Sequence, residues 1–99
     1  MLLPPVLLIS LISLIMHDLH AADQILNLVL GQAIANKLLK VNKIVIELGS
    51  IIEHGADINP DNLAFNLKLL AKNTLARDAA VIIKKVQGNS WKLVEIEGD

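Results

Sequence analysis

The clearest pattern in the sequence is an alternation of apolar and polar positions at intervals of three and four residues between Ile34 and His54. Such intervals place the apolar residues on one face of an α-helix and the polar residues on another. With Asp23 as a candidate N-cap, the pattern predicts a long amphipathic helix over residues 23–54. The apolar set is Ile34, Leu38, Val41, Val45, Leu48 and Ile52, and the polar set is Asn36, Lys40, Lys43, Glu47, Ser50 and His54.

Part of this segment also has strand character. Residues 43–48, KIVIEL, are rich in β-branched side chains and, considered alone, are typical of a strand. The helical period extends over a much longer stretch, so it favours a helix over this local preference. Gly55 and Pro60 then predict the helix end, because glycine suits the residue after a helix and proline stops its continuation.

The segment Ile51–Asn59, with the sequence IIEHGADIN, resembles the helix end and turn that close an ankyrin repeat. The Thr-Pro-Leu-His opening of that repeat is absent, and no second copy occurs at the ankyrin period of about 33 residues. The resemblance therefore implies a helix end followed by a turn, and Gly-Ala-Asp is favourable turn chemistry in any case.

A second helix is predicted after this turn. Asn59 is suited to cap it and Pro60 to be its first residue. Apolar residues recur at helical spacing along two lines that are offset near Asn73, which predicts a return helix over residues 60–87 with a break near residue 73. The first line is Leu63, Leu67 and Leu70, and the second is Leu75, Ala79, Ile82 and Val86.

The first segment, Met1–Met16, carries no charge, and the first Lys or Arg of the chain is Lys37. Three interpretations of residues 1–21 stay open. They form a signal peptide cleaved before Ala22, a buried or oligomer-forming apolar helix, or a membrane anchor shorter than the roughly 20 residues that a bilayer core requires. The sequence consequently leaves a cytoplasmic and an exported location equally open.

Residues 89–99 are predicted to be a short extended tail, because the helical segments before them offer no partner strand. The tail either docks on the helices or adds as a strand to another chain. In the second case its apolar residues bind the partner. These candidate partner-binding residues are Trp91, Leu93, Val94 and Ile96.

The composition agrees with helices. Hydrophobic residues make up 54% of the 99 residues, but aromatic residues only 2%, whereas strands are usually richer in aromatic side chains. The predicted fold is therefore all-α, within one domain over residues 1–99. It is a small helical bundle of an apolar N-terminal helix and a long antiparallel helical hairpin, followed by the extended tail.

The chain offers little recognisable chemistry. It has no Cys, its five Gly are isolated, and its Ser residues stand in no nucleophile motif. The segment His17-Asp18-Leu19-His20 is the one cluster of potential metal ligands, but zinc requires three or four ligands and the chain has three His. We therefore predict no enzyme activity, no cofactor and no metal site. A net charge of −1 also argues against a nucleic-acid partner.

Two functions follow from these observations. The first is a non-enzymatic protein that acts through protein–protein interaction and self-associates, because the predicted helices have wide apolar arcs. The alternative is an exported or membrane-associated protein that binds lipid or another apolar ligand, with membrane contact through residues 1–16.

Overall fold

Two helices cover one face of a three-stranded sheet. The computed structural model describes the backbone at residues 5–53 and 56–99 and the side chains at residues 20–52 and 57–99. In chain order the elements are α1 (Pro5–Ala35), β1 (Val41–Leu48), β2 (Ile52–Glu53), β3 (Ala56–Asp57), α2 (Pro60–Leu70), a 3₁₀ turn (Ala71–Asn73), β4 (Ala80–Lys85) and β5 (Trp91–Gly98).

The sheet is mixed, with strand order β4-β1-β5. Strand β1 is central: it pairs in parallel with β4 and antiparallel with β5. The parallel pair requires a long crossover, which β2, β3 and α2 supply. Strands β2 and β3 form a separate two-stranded hairpin.

The core lies between the helices and the inner face of the sheet. Its fully buried side chains include Ile25 and Val29 from α1, Ile46 from β1, and Leu63 and Leu67 from α2. No polar or charged side chain is buried among residues 20–52 and 57–99. Packing of aliphatic groups is therefore the main source of stability in this part of the chain.

The predicted all-α bundle is wrong, and the largest error concerns the helix over residues 23–54. Helix α1 ends at Ala35, and the KIVIEL segment belongs to β1. Along β1, Ile44, Ile46 and Leu48 belong to the core cluster, whereas the residues between them are Val45, which is buried outside that cluster, and the half-exposed Glu47. The apolar residues fit both periods, and pairing with two distant strands decides between them.

Helix α1 ends in a Schellman motif. The N–H of Leu38 donates to the carbonyl of Ala33 at 2.9 Å, and the N–H of Lys37 donates to the carbonyl of Ile34 at 3.0 Å. Lys37 has a φ of 59°, the left-handed conformation that glycine normally supplies at this position. Because a lysine occupies it, the sequence lacks the usual mark of a helix end.

We expect Lys37→Gly to stabilise the protein by about 1 kcal/mol, because glycine removes the steric cost of the left-handed conformation. Lys37→Ala is the matched control, since alanine removes the lysine side chain but keeps the Cβ atom. Urea unfolding of both variants measures the difference. Equal stability of the two variants would show that the left-handed turn carries no strain.

The return helix predicted over residues 60–87 is also wrong beyond Leu70. Asn59 caps α2 by accepting hydrogen bonds from the N–H groups of Asp61 at 2.8 Å and Asn62 at 3.2 Å. After the 3₁₀ turn, the Thr74 hydroxyl donates to the carbonyl of Ala71 at 2.8 Å and so closes the helical segment. The second apolar line then continues into strand β4.

The remaining sequence interpretations also change. Residues 91–98 are a strand of the sheet, so the predicted tail is paired within its own chain. The segment that resembles an ankyrin helix end contains β2 and β3, whose residues Ile52 and Asp57 pair. Helix α1 is continuous from Pro5 to Ala35, whereas the sequence predicted an apolar N-terminal helix and a separate helix that starts at residue 23. Within the described part of the chain, neither helix meets the length and hydropathy needed to cross a membrane.

Candidate functional site

The potential metal ligands His17, Asp18 and His20 lie in α1, ahead of its buried part. His20 is exposed, whereas the side chains of the other two are outside the described residues. Residues three apart are neighbours on the surface of a helix, so positions 17 and 20 share one side of α1. Among the side chains that the structure describes, no group of three or more His, Asp or Glu is arranged to hold a metal.

The predicted partner-binding residues all lie on β5, but they do not form one exposed surface. Trp91, Leu93 and Ile96 are half-buried and pack against the core. Only Val94 is exposed, with 48% of its surface accessible. Their role in partner binding stays a prediction, and in this fold it concerns mainly Val94 and the outer edge of β5.

A β-bulge explains why Ile96 shares a face with Leu93. In the register of the sheet, Glu95 is opposite Val45 while Leu93 is opposite Ile46, so Val94 has no partner of its own. This extra residue reverses the alternation along β5. Strict alternation in the sequence predicts the opposite, with Ile96 facing away from Trp91 and Leu93.

An ion cluster ties the bulged strand to β1 on the outer face of the sheet. The Lys43 ammonium lies 3.2 Å from a carboxylate oxygen of Glu95 and 3.4 Å from one of Glu97. The hydrogen bond with Glu95 and the charges of both carboxylates raise the pKa of Lys43. These groups are exposed to solvent, and their arrangement stabilises the strand pair without forming a pocket.

A cleft of about 710 Å³ lies beside the end of α1. We call it the Leu39 cleft. Its apolar lining comes from Leu30, Ile34, Leu39 and Leu75, and its polar lining from Lys40, Asn73, Thr74 and Arg77. Pockets of about 300–1,000 Å³ are typical of binding sites, so this cleft is large enough to receive a ligand or part of a partner.

The sequence did not predict the cleft, because Leu39 fell inside the helix predicted over residues 23–54. The left-handed turn at Lys37 ends that helix, and Leu39 is 84% exposed. The second wall, at Asn73–Arg77, is brought alongside only by the tertiary fold. The sequence contains no local pattern that relates the two walls.

Comparison with known proteins identifies the family. A model of the family described as "Hydrogenase/urease nickel incorporation, metallochaperone, hypA" matches residues 16–91. The chain is 37% identical to the hydrogenase maturation factor HypA of Methanobrevibacter smithii over 71 residues, which are 72% of this chain and 54% of that protein. It is 31% identical to the HypA of Legionella pneumophila strain Lens over 75 residues, 76% of this chain and 63% of that protein.

The fold has a counterpart among solved structures. It resembles the solution structure of the Ni metallochaperone HypA from Helicobacter pylori, with a TM-score of 0.68 and 13% identity. The alignment covers 82% of this chain and 96% of the other. At this identity the likeness concerns the fold alone. The chain spans 54% and 63% of the length of the two relatives described above.

The family match overturns the functions predicted from the sequence. Both the self-associating interaction protein and the lipid-binding alternative are wrong, as are the corresponding partners, because the matched family is defined by nickel incorporation into hydrogenase and urease. A metallochaperone is not a catalyst by description, which agrees with the prediction of a non-enzymatic protein. The prediction of self-association depended on the apolar arcs of helices over residues 23–54 and 60–87, which the fold replaces in part by strands.

Proposed function

We propose, because this chain belongs to the HypA family, that it binds nickel ions and hands them over during maturation of a hydrogenase or a urease. One observation carries the proposal: the family match begins at Met16, directly before the His17-Asp18-Leu19-His20 cluster. The part of the chain shared with the family thus includes its one concentration of potential metal ligands.

The donor set in this cluster suits nickel. Imidazole nitrogen binds Ni²⁺ well, and a carboxylate oxygen is an acceptable additional ligand. His17, Asp18 and His20 offer both kinds of donor within one turn of α1. The chain has no Cys, so a thiolate site that would favour zinc or copper(I) is excluded within it.

The proposed role requires binding and release, and no covalent chemistry. A carrier must give up its metal, so a small number of ligands near the surface suits the task better than a closed four-ligand site. The exposed position of His20 on α1 is consistent with this arrangement. We therefore propose that the protein is not an enzyme and that nickel is its cargo.

Equilibrium dialysis of the full chain against Ni²⁺ tests the proposal. We expect saturable binding, and we expect His17→Ala and His20→Ala each to weaken it at least about tenfold, since even outer-shell changes at metal sites cost about 10–100-fold. His54→Ala is the matched control, because it removes a histidine outside the cluster.

The delivery step is tested separately by incubating the nickel-loaded chain with nickel-free urease or hydrogenase and measuring transfer of the metal. Unchanged nickel binding in His17→Ala and His20→Ala would contradict the assignment of the cluster. Binding without transfer to either enzyme would contradict the carrier role.

A further inference from the structure

We propose that the Leu39 cleft is a docking site for an acidic, apolar segment of a partner protein. The inference goes beyond nickel binding, because it uses residues at the opposite end of the described part of α1 from His20. It rests on the exposure of the cleft's apolar groups, on the rigidity of its walls and on the charge of its rim.

The apolar lining is unusually exposed. Leu39 is 84% exposed and Ile34 is 71% exposed, more than any other large hydrophobic side chain in the described part of the chain. Leu75 adds a third group at 38%. Apolar side chains gathered in one concave patch, and not scattered singly, are characteristic of interaction surfaces. Covering them would gain free energy in proportion to the buried area.

Hydrogen bonds hold the two walls in place. The N–H of Val41, next to Lys40, donates to the carbonyl of Leu75 at 2.9 Å and joins one wall to the other. On the first wall, the N–H of Leu39 donates to the carbonyl of Asp99 at 2.6 Å. On the second, the Thr74 hydroxyl accepts from the N–H of Ala76 at 3.1 Å. A site formed in advance binds with a smaller loss of conformational entropy.

The rim is positively charged. Lys40 and Arg77 line the cleft, and both contact the single carboxylate of Asp78 at 3.7 Å. Lys72 precedes the lining residue Asn73 in the chain, and the acidic residue Asp99 touches the first wall through its backbone carbonyl. The lining itself carries two cationic side chains and no acidic one, on a chain whose net charge is −1. Complementary charge on a partner would speed association and select against basic segments.

These features favour a protein segment over a membrane surface. A bilayer presents a broad flat surface, whereas the exposed groups here line a concavity between two walls. The apolar side chains of such a segment would pack on Ile34 and Leu39. Its carboxylates would pair with Lys40 and Arg77. Lys40 and Arg77 share the single carboxylate of Asp78, so carboxylates of a partner would add favourable electrostatic energy. This contribution is largest at low ionic strength.

The probe is a fluorescein-labelled synthetic peptide of repeated Leu-Glu-Glu-Leu units, compared with its Leu-Lys-Lys-Leu counterpart. Fluorescence anisotropy with the full chain should show binding of the acidic peptide only. We expect Leu39→Ser and Arg77→Glu each to weaken it about tenfold, as loss of a central interface residue does. Phe65→Ser and Lys68→Glu, exposed positions on α2, are the matched controls and should bind normally.

Several results would overturn the proposal. Equal binding of the basic peptide, or equal binding by Leu39→Ser and Phe65→Ser, would show that the cleft is not the site. A dimer in sedimentation equilibrium that Leu39→Ser dissociates would assign the cleft to a second copy. Leu39-dependent cosedimentation with phosphatidylglycerol vesicles, without peptide binding, would assign it to a membrane. His17→Ala should bind the peptide normally, so failure of the nickel proposal leaves this one intact.

Discussion

Replacing Gly49 by alanine is expected to destabilise the protein by about 3 kcal/mol, the upper part of the range for inserting a group into a tightly packed site. The segment between β4 and β5 passes directly over the end of β1. A Cβ atom at position 49 would lie 2.7 Å from the carbonyl carbon and oxygen of Gly88 and 2.9 Å from the carbonyl oxygen of Ser90. These are backbone atoms, so no side-chain rotation relieves the contact.

The same segment loses hydrogen bonds if it moves away. The N–H of Gly49 donates to the carbonyl of Ser90 at 2.9 Å, and the N–H of Ser50 donates to the carbonyl of Gly88 at 2.8 Å. Both bonds hold the crossing that places β4 and β5 on opposite sides of β1. Weakening them therefore affects both strand pairs.

Gly31→Ala is the matched control for this prediction. A Cβ atom at position 31 meets no other atom within 4 Å, and the residue is exposed in α1. Alanine is there expected to stabilise the helix by about 0.5–1 kcal/mol. Urea unfolding monitored by the fluorescence of Trp91, the single Trp, measures both variants. A Gly49→Ala protein as stable as the parent would contradict the crossing geometry.

Replacing Ile46 by alanine is expected to cost about 2–5 kcal/mol, because it removes buried methyl and methylene groups and leaves a cavity. Ile46 has no exposed surface. It lies in the central strand, opposite Ile83 of β4 and Leu93 of β5. Because strands flank Ile46 on both sides, the surroundings have little freedom to fill the cavity.

Ile34→Ala changes the same side chain in the same way but at a position that is 71% exposed. We expect its stability to stay within about 0.5 kcal/mol of the parent, as for surface substitutions in general. The comparison separates burial from side-chain chemistry. If both substitutions cost the same, β1 would not be the buried centre of the sheet.

The helix predicted over residues 23–54 is wrong because the sequence of this segment is compatible with two structures. The apolar positions between Ile34 and Ile52 match the helical period, and the β-branched run KIVIEL matches a strand. A glycine after residue 35 would have indicated the end of the helix. Here Lys37 adopts the left-handed conformation instead, so the sequence lacks that signal. The local pattern does not distinguish the two structures, although they bury different side chains: Ile34 and Ile52 belong to the apolar face of the predicted helix but are 71% and 62% exposed in the fold.

One part of the candidate site is visible in the sequence, and the other part is formed only by the fold. The His17–His20 cluster is visible in the sequence, where counting ligands against the requirements of zinc predicts no metal site. The nickel role proposed for the cluster departs from that prediction, and it is the family match that relates the cluster to nickel. The Leu39 cleft has no such mark, because its walls are more than 30 positions apart in the chain.

By itself the sequence determined features that depend on neighbouring residues. Asn59 and Pro60 begin α2 because a capping side chain and a preset φ act within one turn. The absence of Cys excludes thiolate chemistry in this chain whatever its fold. The position of His17 beside Asp18 and three residues before His20 is likewise a property of the sequence alone.

Only the tertiary structure decided that residues 41–48 are a strand. A strand is stable when its N–H and C=O groups are paired, and β1 obtains its partners from β4 and β5, more than 30 residues further along the chain. The same pairing turned the predicted tail into an edge strand, and the bulge at Val94 set which of its side chains face the core. These outcomes depend on contacts between distant segments, which local periodicity does not contain.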